Sequence, residues 1–195
     1  MPPRHIRLIG GQWKRTRLAV ADKPGLRPTP DRVRETLFNW LGQDLTNWRV
    51  LDAFAGTGAL GLEAASRQAQ HVLLVEQDAQ LAAALRQNGQ RLSASAVRVL
   101  HGDGVAALRS QPADSLDLIF LDPPFAADGL YAPALDAAIQ ALRPDGFIYL
   151  EASTCWQNRP ETAPLALHRH LKAGAVHAHL RLSSLHSRIL RRGLS

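Results

Sequence analysis

The sequence predicts an α/β protein: a doubly wound, mostly parallel sheet of seven strands that ends in an antiparallel hairpin and is preceded by a small basic β-hairpin extension. Three observations predict it. From Trp48 onward, short β-branched or apolar runs alternate with Ala- and Leu-rich stretches of helical period, the pattern of repeated βαβ units. A glycine-rich segment, AGTGALG, falls between the first such run and the first helical stretch. Late in the chain, Ala173-Gly174 divides PLALHRHLKAGAVHAHLRL into two strands able to pair antiparallel.

Taken in order, HIRLIGGQWKRTRLAV reads as a basic strand pair with Gly10 and Gly11 at a turn or bulge. RPTPDRVRETLFNWL then predicts a helix. Thr29 can cap it, Pro30 suits its first position, and Val33, Leu37 and Leu41 form one apolar face. Strands are expected at 49–54, 71–76, 96–100, 115–121 and 146–151, with helices at 59–69, 78–91, 103–110 and 131–142. A length of 195 residues suits one well-cored domain with a small appendage. We divide it into a basic arm, 1–28, and a main domain, 29–195.

Composition narrows the class. Hydrophobic residues make up 46% of the chain with no 18-residue apolar run, so no membrane span is expected. The segment MPPRHIRLIGG lacks the apolar core of a signal peptide, and the single Cys155 excludes an intrachain disulfide. Both fit a cytoplasmic protein. No self-complementary patch is evident, which makes a monomer the expectation. The formal charge of +6 is unevenly spread. Residues 1–34 hold nine Lys or Arg against two acids, residues 35–151 seven against fourteen, and residues 152–195 seven against one. Basic ends attract a polyanion such as nucleic acid; the acidic middle needs a different task.

The glycines Gly56, Gly58 and Gly61 form G-x-G-x-x-G between a strand and a helix, where backbone can approach a ligand and a helix N-terminus offers free N–H groups. Glu76 stands at the tip of the second strand, twenty residues past Gly56, able to accept both hydroxyls of a ribose. Asp103, just past the third strand, can accept an adenine amino proton. A nicotinamide-dependent oxidoreductase would share these features. Asp52 separates the two readings: at the end of the first strand it would repel a pyrophosphate and attract a cation. S-adenosylmethionine has the adenosine and the ribose diol, with an ammonium and a sulfonium in place of phosphates. The fourth strand ends in LDPPF. Its prolines stop the ladder and stiffen the backbone, so the Asp122 carboxylate and a rigid carbonyl at Pro123 can orient the two N–H groups of an exocyclic amine, and Phe125 can stack on a base.

LDAFAGTGALGLEA, VEQD and FLDPPF resemble the Rossmann-like, S-adenosylmethionine-dependent methyltransferases that modify exocyclic amines. With RLIGGQW and GLRPTPDRVRETLFNWL, they resemble more narrowly the bacterial 16S ribosomal RNA guanine(966)-N2 methyltransferase family, from about Arg7 to Glu151. The resemblance implies a cofactor site at Asp52, Phe54, Gly56, Thr57, Gly58, Glu76, Gln77 and Asp103, with Asp52, Phe54, Gly56 and Gly58 on the methionine side, Glu76 on the ribose and Asp103 near the adenine. It implies a catalytic set of Asp122, Pro123, Pro124 and Phe125 at the target guanine. The partner it implies is 16S ribosomal RNA, free or in the assembled small subunit. Contacts to that RNA are expected from Arg7, Trp13, Lys14, Arg15, Arg17, Arg27 and Arg32. Where the family often shows Arg-Gly-Arg, this chain has Lys14-Arg15-Thr16-Arg17, which keeps the charge.

Two further stretches stand out. With Ala173-Gly174 as the turn, His168 would pair with His179 and His170 with His177, placing four imidazoles on one face opposite Leu167, Leu171, Val176 and Leu180. No cysteine or acid adjoins them in sequence, so a solvated or RNA-facing surface is expected and no metal. Arg188, Arg191 and Arg192 offer phosphate contacts or a solvated tail. Rivals to the methyltransferase on guanine are an adenine or cytosine amine methyltransferase and a non-catalytic RNA-binding assembly factor.

Overall fold

The computed structural model describes residues 5–21, 23, 26, 28–124 and 128–183. Strand β1 (His5–Arg7) pairs antiparallel with β2 (Arg17–Ala19), and helix α1 (Asp31–Trp40) follows. The alternating part runs β3 (Arg49–Asp52), α2 (Ala59–Ser66), β4 (His71–Glu76), α3 (Ala79–Arg91), β5 (Val97–His101), α4 (Gly104–Arg109), β6 (Leu116–Leu121), α5 (Tyr131–Ala141) and β7 (Leu142–Ala152). The hairpin β8 (Leu165–Ala173) and β9 (Val176–Ser183) completes a seven-stranded sheet in the order β5-β4-β3-β6-β7-β9-β8. Strands β3 to β7 are parallel, β9 runs antiparallel to β7, and β8, antiparallel to β9, again points the same way as the parallel strands. The fold class read from the sequence is the one observed.

Both faces of the sheet are covered, which is why its central strands read as continuous apolar runs. Val50, Leu118, Phe120 and Tyr149 face a core shared with α1, α2 and the arm. Leu51, Ile119, Leu121, Ile148 and Leu150 face the other core, with α4 and α5. The arm is fastened to the first layer: Ile6, Leu8, Leu18 and Val20 are buried in it. Ser66, at the end of α2, accepts from the Gln12 N–H (2.7 Å) and the Trp13 N–H (3.0 Å) and donates to the Gly10 carbonyl (2.6 Å). No helix among the described residues is long and apolar enough to cross a membrane.

Three local expectations are corrected. Thr29 does not cap α1; Pro30 occupies that position without a side-chain cap, and Thr29 is turned elsewhere. Strand β7 starts at Leu142 rather than 146, because Arg143 to Gly146 bulge out between Leu142, paired with Leu116, and Phe147, paired with Leu118. The hairpin turns at Gly174 and Ala175, with Gly174 at φ 61° and Ala173 opposite Val176. His170 therefore faces His179, and Lys172 faces His177. A bulge between Leu167 and Arg169 removes His168 from that row, and its ring lies 6.1 Å from that of Phe147.

Candidate active site

Sheet topology fixes where a ligand can enter. Strand order reverses between β3 and β6, and the crevice at the C-terminal ends of such a pair is the binding position of doubly wound sheets. All five parallel strands deliver an acid to that edge: Asp52 from β3, Glu76 from β4, Asp103 just after β5, Asp122 just after β6 and Glu151 from β7.

The glycine loop is shaped by packing as much as by ligand access. Gly58 sits at φ 78°, and a Cβ there would fall 2.5 Å from Leu85. At Gly61 a Cβ would fall 2.1 Å from Leu74, so this glycine lets α2 lie on β4, and its N–H donates to Asp52 Oδ2 at 3.1 Å. Glu76 is held by two amides, Gly56 N–H (2.8 Å) and Asp78 N–H (2.8 Å), one on each carboxylate oxygen. Each oxygen keeps a lone pair for a further donor. Asp103 caps α4 through the Ala106 N–H at 2.7 Å and is exposed. Gln77 is exposed too, its carbonyl against His101 Nε2. Thr57 is buried beside Ala59, whereas Phe54 is half-buried against the second core. These residues form a cradle of amides and acids that fits an adenosine with a cationic tail.

Three of the acids form a group at this edge, with Asp52 and Glu151 buried and Asp122 half-buried. Asp52 is 2% exposed, and burial pushes its carboxyl up to about 7 against the pull of the Gly61 and Phe54 N–H groups, with Glu76 and Glu151 adding repulsion. The Asp122 carboxyl is held well above its ordinary range, first by burial, then by the charges of Glu151 and Asp52. Glu151 is 3% exposed and also raised by burial, opposed by hydrogen bonds from the Tyr149 hydroxyl (2.7 Å) and Thr29. Among the described residues no Lys or Arg contributes to the balance at any of the three. Such a group is electrostatically incomplete and favours a cation.

Sequence reasoning missed Glu151 and Thr29 as members. The signal for Glu151 was present, since FIYLE ends an apolar strand on an acid as LIFLD does. Pro123 is buried and Pro124 exposed, while Phe125 lies outside the described residues. On the arm, Lys14, Arg15 and Arg17 are exposed, as is Arg32 on α1. Arg7 is exposed with its guanidinium 3.2 Å from Asp31. Trp13 packs against the first core, and Arg27 lies outside the described residues, as do Arg188, Arg191 and Arg192. In the hairpin, His179 is fully buried rather than solvated. Cys155, distant in sequence, stands beside His170, His177 and His179, so a cysteine does accompany the imidazoles.

The family described as Conserved hypothetical protein 95 matches residues 6–182. Ribosomal RNA small subunit methyltransferase D of Escherichia coli K12 is 42% identical over 179 residues, covering 88% of this chain and 86% of that protein. Its namesake from Haemophilus influenzae is 41% identical over 150 residues, 75% of this chain and 78% of the relative. Among solved structures, a methyltransferase from Escherichia coli superposes with TM-score 0.80 at 37% identity, over 93% of this chain and 99% of its own. A methylase from Haemophilus influenzae gives 0.75 at 33%, over 92% and 99%.

Proposed function

The chain belongs to the Conserved hypothetical protein 95 family and is an S-adenosylmethionine-dependent methyltransferase, and from that premise we propose that its target is the exocyclic N2 amine of a guanine in 16S ribosomal RNA. The observation that carries this reading is the group of buried Asp52 and Glu151 with half-buried Asp122 at the sheet's switch point, which has no cation among the described residues.

S-adenosylmethionine supplies an electrophilic methyl on a sulfonium. Glu76 and Asp103 would hold its adenosine, and Asp52 with the loop at Gly56 to Gly58 would line its methionine side, Asp52 supplying charge there. Burial and mutual repulsion raise these carboxyls, so their ionisation would be favoured by a cation bound beside them. Asp122, once ionised, and the Pro123 carbonyl accept the two amine N–H groups and turn the nitrogen lone pair toward the methyl. As the N–C bond would form and the methyl–sulfur bond break, with the electron pair leaving on sulfur as a neutral thioether, positive charge would build on nitrogen; Asp122 would stabilise it and take the proton that the amine loses. Thr29, hydrogen-bonded to Glu151, ties RPTPDRVRETLFNWL to this machinery. The exposed Lys14, Arg15, Arg17 and Arg32 serve the phosphates of an RNA substrate, in a cytoplasmic setting.

The test is methyl incorporation from labelled S-adenosylmethionine into small ribosomal subunits, and separately into free 16S RNA, that lack the native guanine methylation. N2-methylguanosine at one position is the expected product. Label on an adenine or cytosine would overturn the assigned base. No label despite normal cofactor binding would move the protein to an assembly role.

A further inference from the structure

Away from the strand-end acids, the outer part of the sheet brings four metal-ligating side chains together. Cys155 lies in the loop after β7, His170 on β8, and His177 and His179 on β9; one ligand atom from each lies within 4.8 Å of all the others. We propose that these four residues bind one zinc ion as a closed, structural site that clamps the loop after β7 to the terminal hairpin.

Four observations support it. The ligand set is of a kind that zinc takes, one thiolate and three imidazoles, and four protein ligands leave no open position for catalysis. The spread is close to that of a tetrahedral site: with zinc roughly 2.0–2.3 Å from each ligand, side-chain shifts of about 1 Å close the shell. His170 Nε2 and His177 Nδ1 already approach to 3.1 Å, so a metal would replace the proton they share. His179 is preset. The Trp156 backbone N–H, which can only donate, points at its Nε2 (3.0 Å), so the lone pair is there and Nδ1 carries the hydrogen facing the Leu150 carbonyl at 3.3 Å. An imidazole whose second nitrogen donates to a backbone carbonyl is the usual orientation of a metal-bound histidine. On binding, zinc takes the lone pair that Trp156 now holds, and Cys155 gives up its thiol proton to solvent.

The consequence reaches the candidate active site without entering it. Trp156 follows Cys155 directly and packs against Tyr131 with the rings tilted and 4.8 Å apart, and the Tyr131 hydroxyl donates to the Glu151 carbonyl at 3.2 Å. A zinc clamp on the loop therefore braces the end of β7 from behind.

The experiment uses the full-length chain purified without a polyhistidine tag and kept reduced. Zinc per chain is measured after dialysis against a weak chelator, and affinity by competition with a chromophoric chelator. The wild type is expected to hold one zinc with a Kd tighter than about 1 µM. Cys155→Ser and His170→Ala, chosen because neither side chain is in the core, should each weaken binding by more than about 100-fold while keeping the wild-type circular dichroism. Cobalt in place of zinc should show a thiolate charge-transfer band that Cys155→Ser abolishes. Absence of stoichiometric zinc, or undiminished binding by either variant, would overturn the site, and neither result bears on the methyltransferase reading.

Discussion

Two groups of buried carboxylates in this protein are handled in opposite ways. Glu63, on α2, is fully buried between Arg34 (3.3 Å) and Arg67 (3.0 Å) and also accepts from the Ile9 N–H at 2.9 Å. Burial still lifts its carboxyl above the ordinary range, but the amide and both guanidiniums pull it back. The Arg34 guanidinium also donates to the Arg7 and Thr29 carbonyls (2.9 and 3.2 Å), and Arg67 lies 4.7 Å over the Phe38 ring. Asp52 and Glu151 are buried almost as deeply and Asp122 half-buried, and among the described residues no cation enters their balance. The first group is finished when the chain folds and holds the arm on the body. The second is finished only when a positively charged ligand arrives.

The largest effect should follow from removing the acid closest to the chemistry. Asp122→Asn keeps the shape, loses the charge and the proton acceptor, and is expected to lower turnover by about 10²–10⁴-fold. Cofactor affinity, measured by calorimetry, should stay near that of the wild type. Turnover within a few-fold of wild type would mean that Asp122 is not the acceptor.

Glu63→Ala tests the other half. It leaves Arg67 buried without an acid while Arg34 keeps Asp31 at 2.6 Å, and a buried charge that loses its partner costs roughly 3–5 kcal/mol. Urea denaturation should show that loss, while turnover per folded molecule at low temperature stays close to normal. A stable variant with poor turnover would reverse the roles given to the two groups.

Asp52 should connect stability with pH in the sense opposite to a salt-bridged acid. Its carboxyl rises from an ordinary 3.8 to about 7 in the folded chain. The folded state thus keeps a proton that the unfolded state loses. That contribution is complete below about pH 4 and is lost as pH rises through about 7. Asp52→Asn cannot ionise, so it should match the wild type near pH 4 and exceed its stability at pH 8 by at most ~4 kcal/mol. Cofactor affinity of the wild type should rise between about pH 6 and pH 8, because a sulfonium favours the ionised acid, and should rise less for S-adenosylhomocysteine, whose sulfur is neutral. Equal pH dependence for the two ligands would remove Asp52 from the neighbourhood of the sulfonium.

These contrasts show what was legible in the sequence. The sheet, its order of helices and strands, and the acids at four strand ends followed from local pattern, because a parallel sheet repeats one unit with its loops on one edge. Arg34 and Glu63 were not distinguishable from surface charges, since their pairing joins residues 29 positions apart in different elements. Thr29 looked like a helix cap because the cap pattern is local, whereas its real partner is a strand end 122 residues later. Hairpin register was off by one pair because Ala173-Gly174 and Gly174-Ala175 are equally acceptable turns in a string, and the bulge at His168 has no glycine to announce it. Cys155 joined the imidazoles only through the path of the loop after β7.

The smallest expected effect belongs to the arm, and it separates fastening from recognition. Glu63, Ser66 and the buried apolar residues fix the arm's inner side to the body, leaving Arg15 and Arg17 exposed on the outer side, with Arg15 at φ 71° in the tip between β1 and β2. Charges presented this way contribute little to stability. Replacing both with Gln should leave the urea midpoint and cofactor affinity unchanged. If each arginine neutralises one phosphate, the slope of log affinity for RNA against log salt should become shallower by about 1.4–1.8 in total, at 0.7–0.9 per contact. An unchanged slope with weaker binding would assign the arm a shape role and move the phosphate contacts elsewhere on the basic surface.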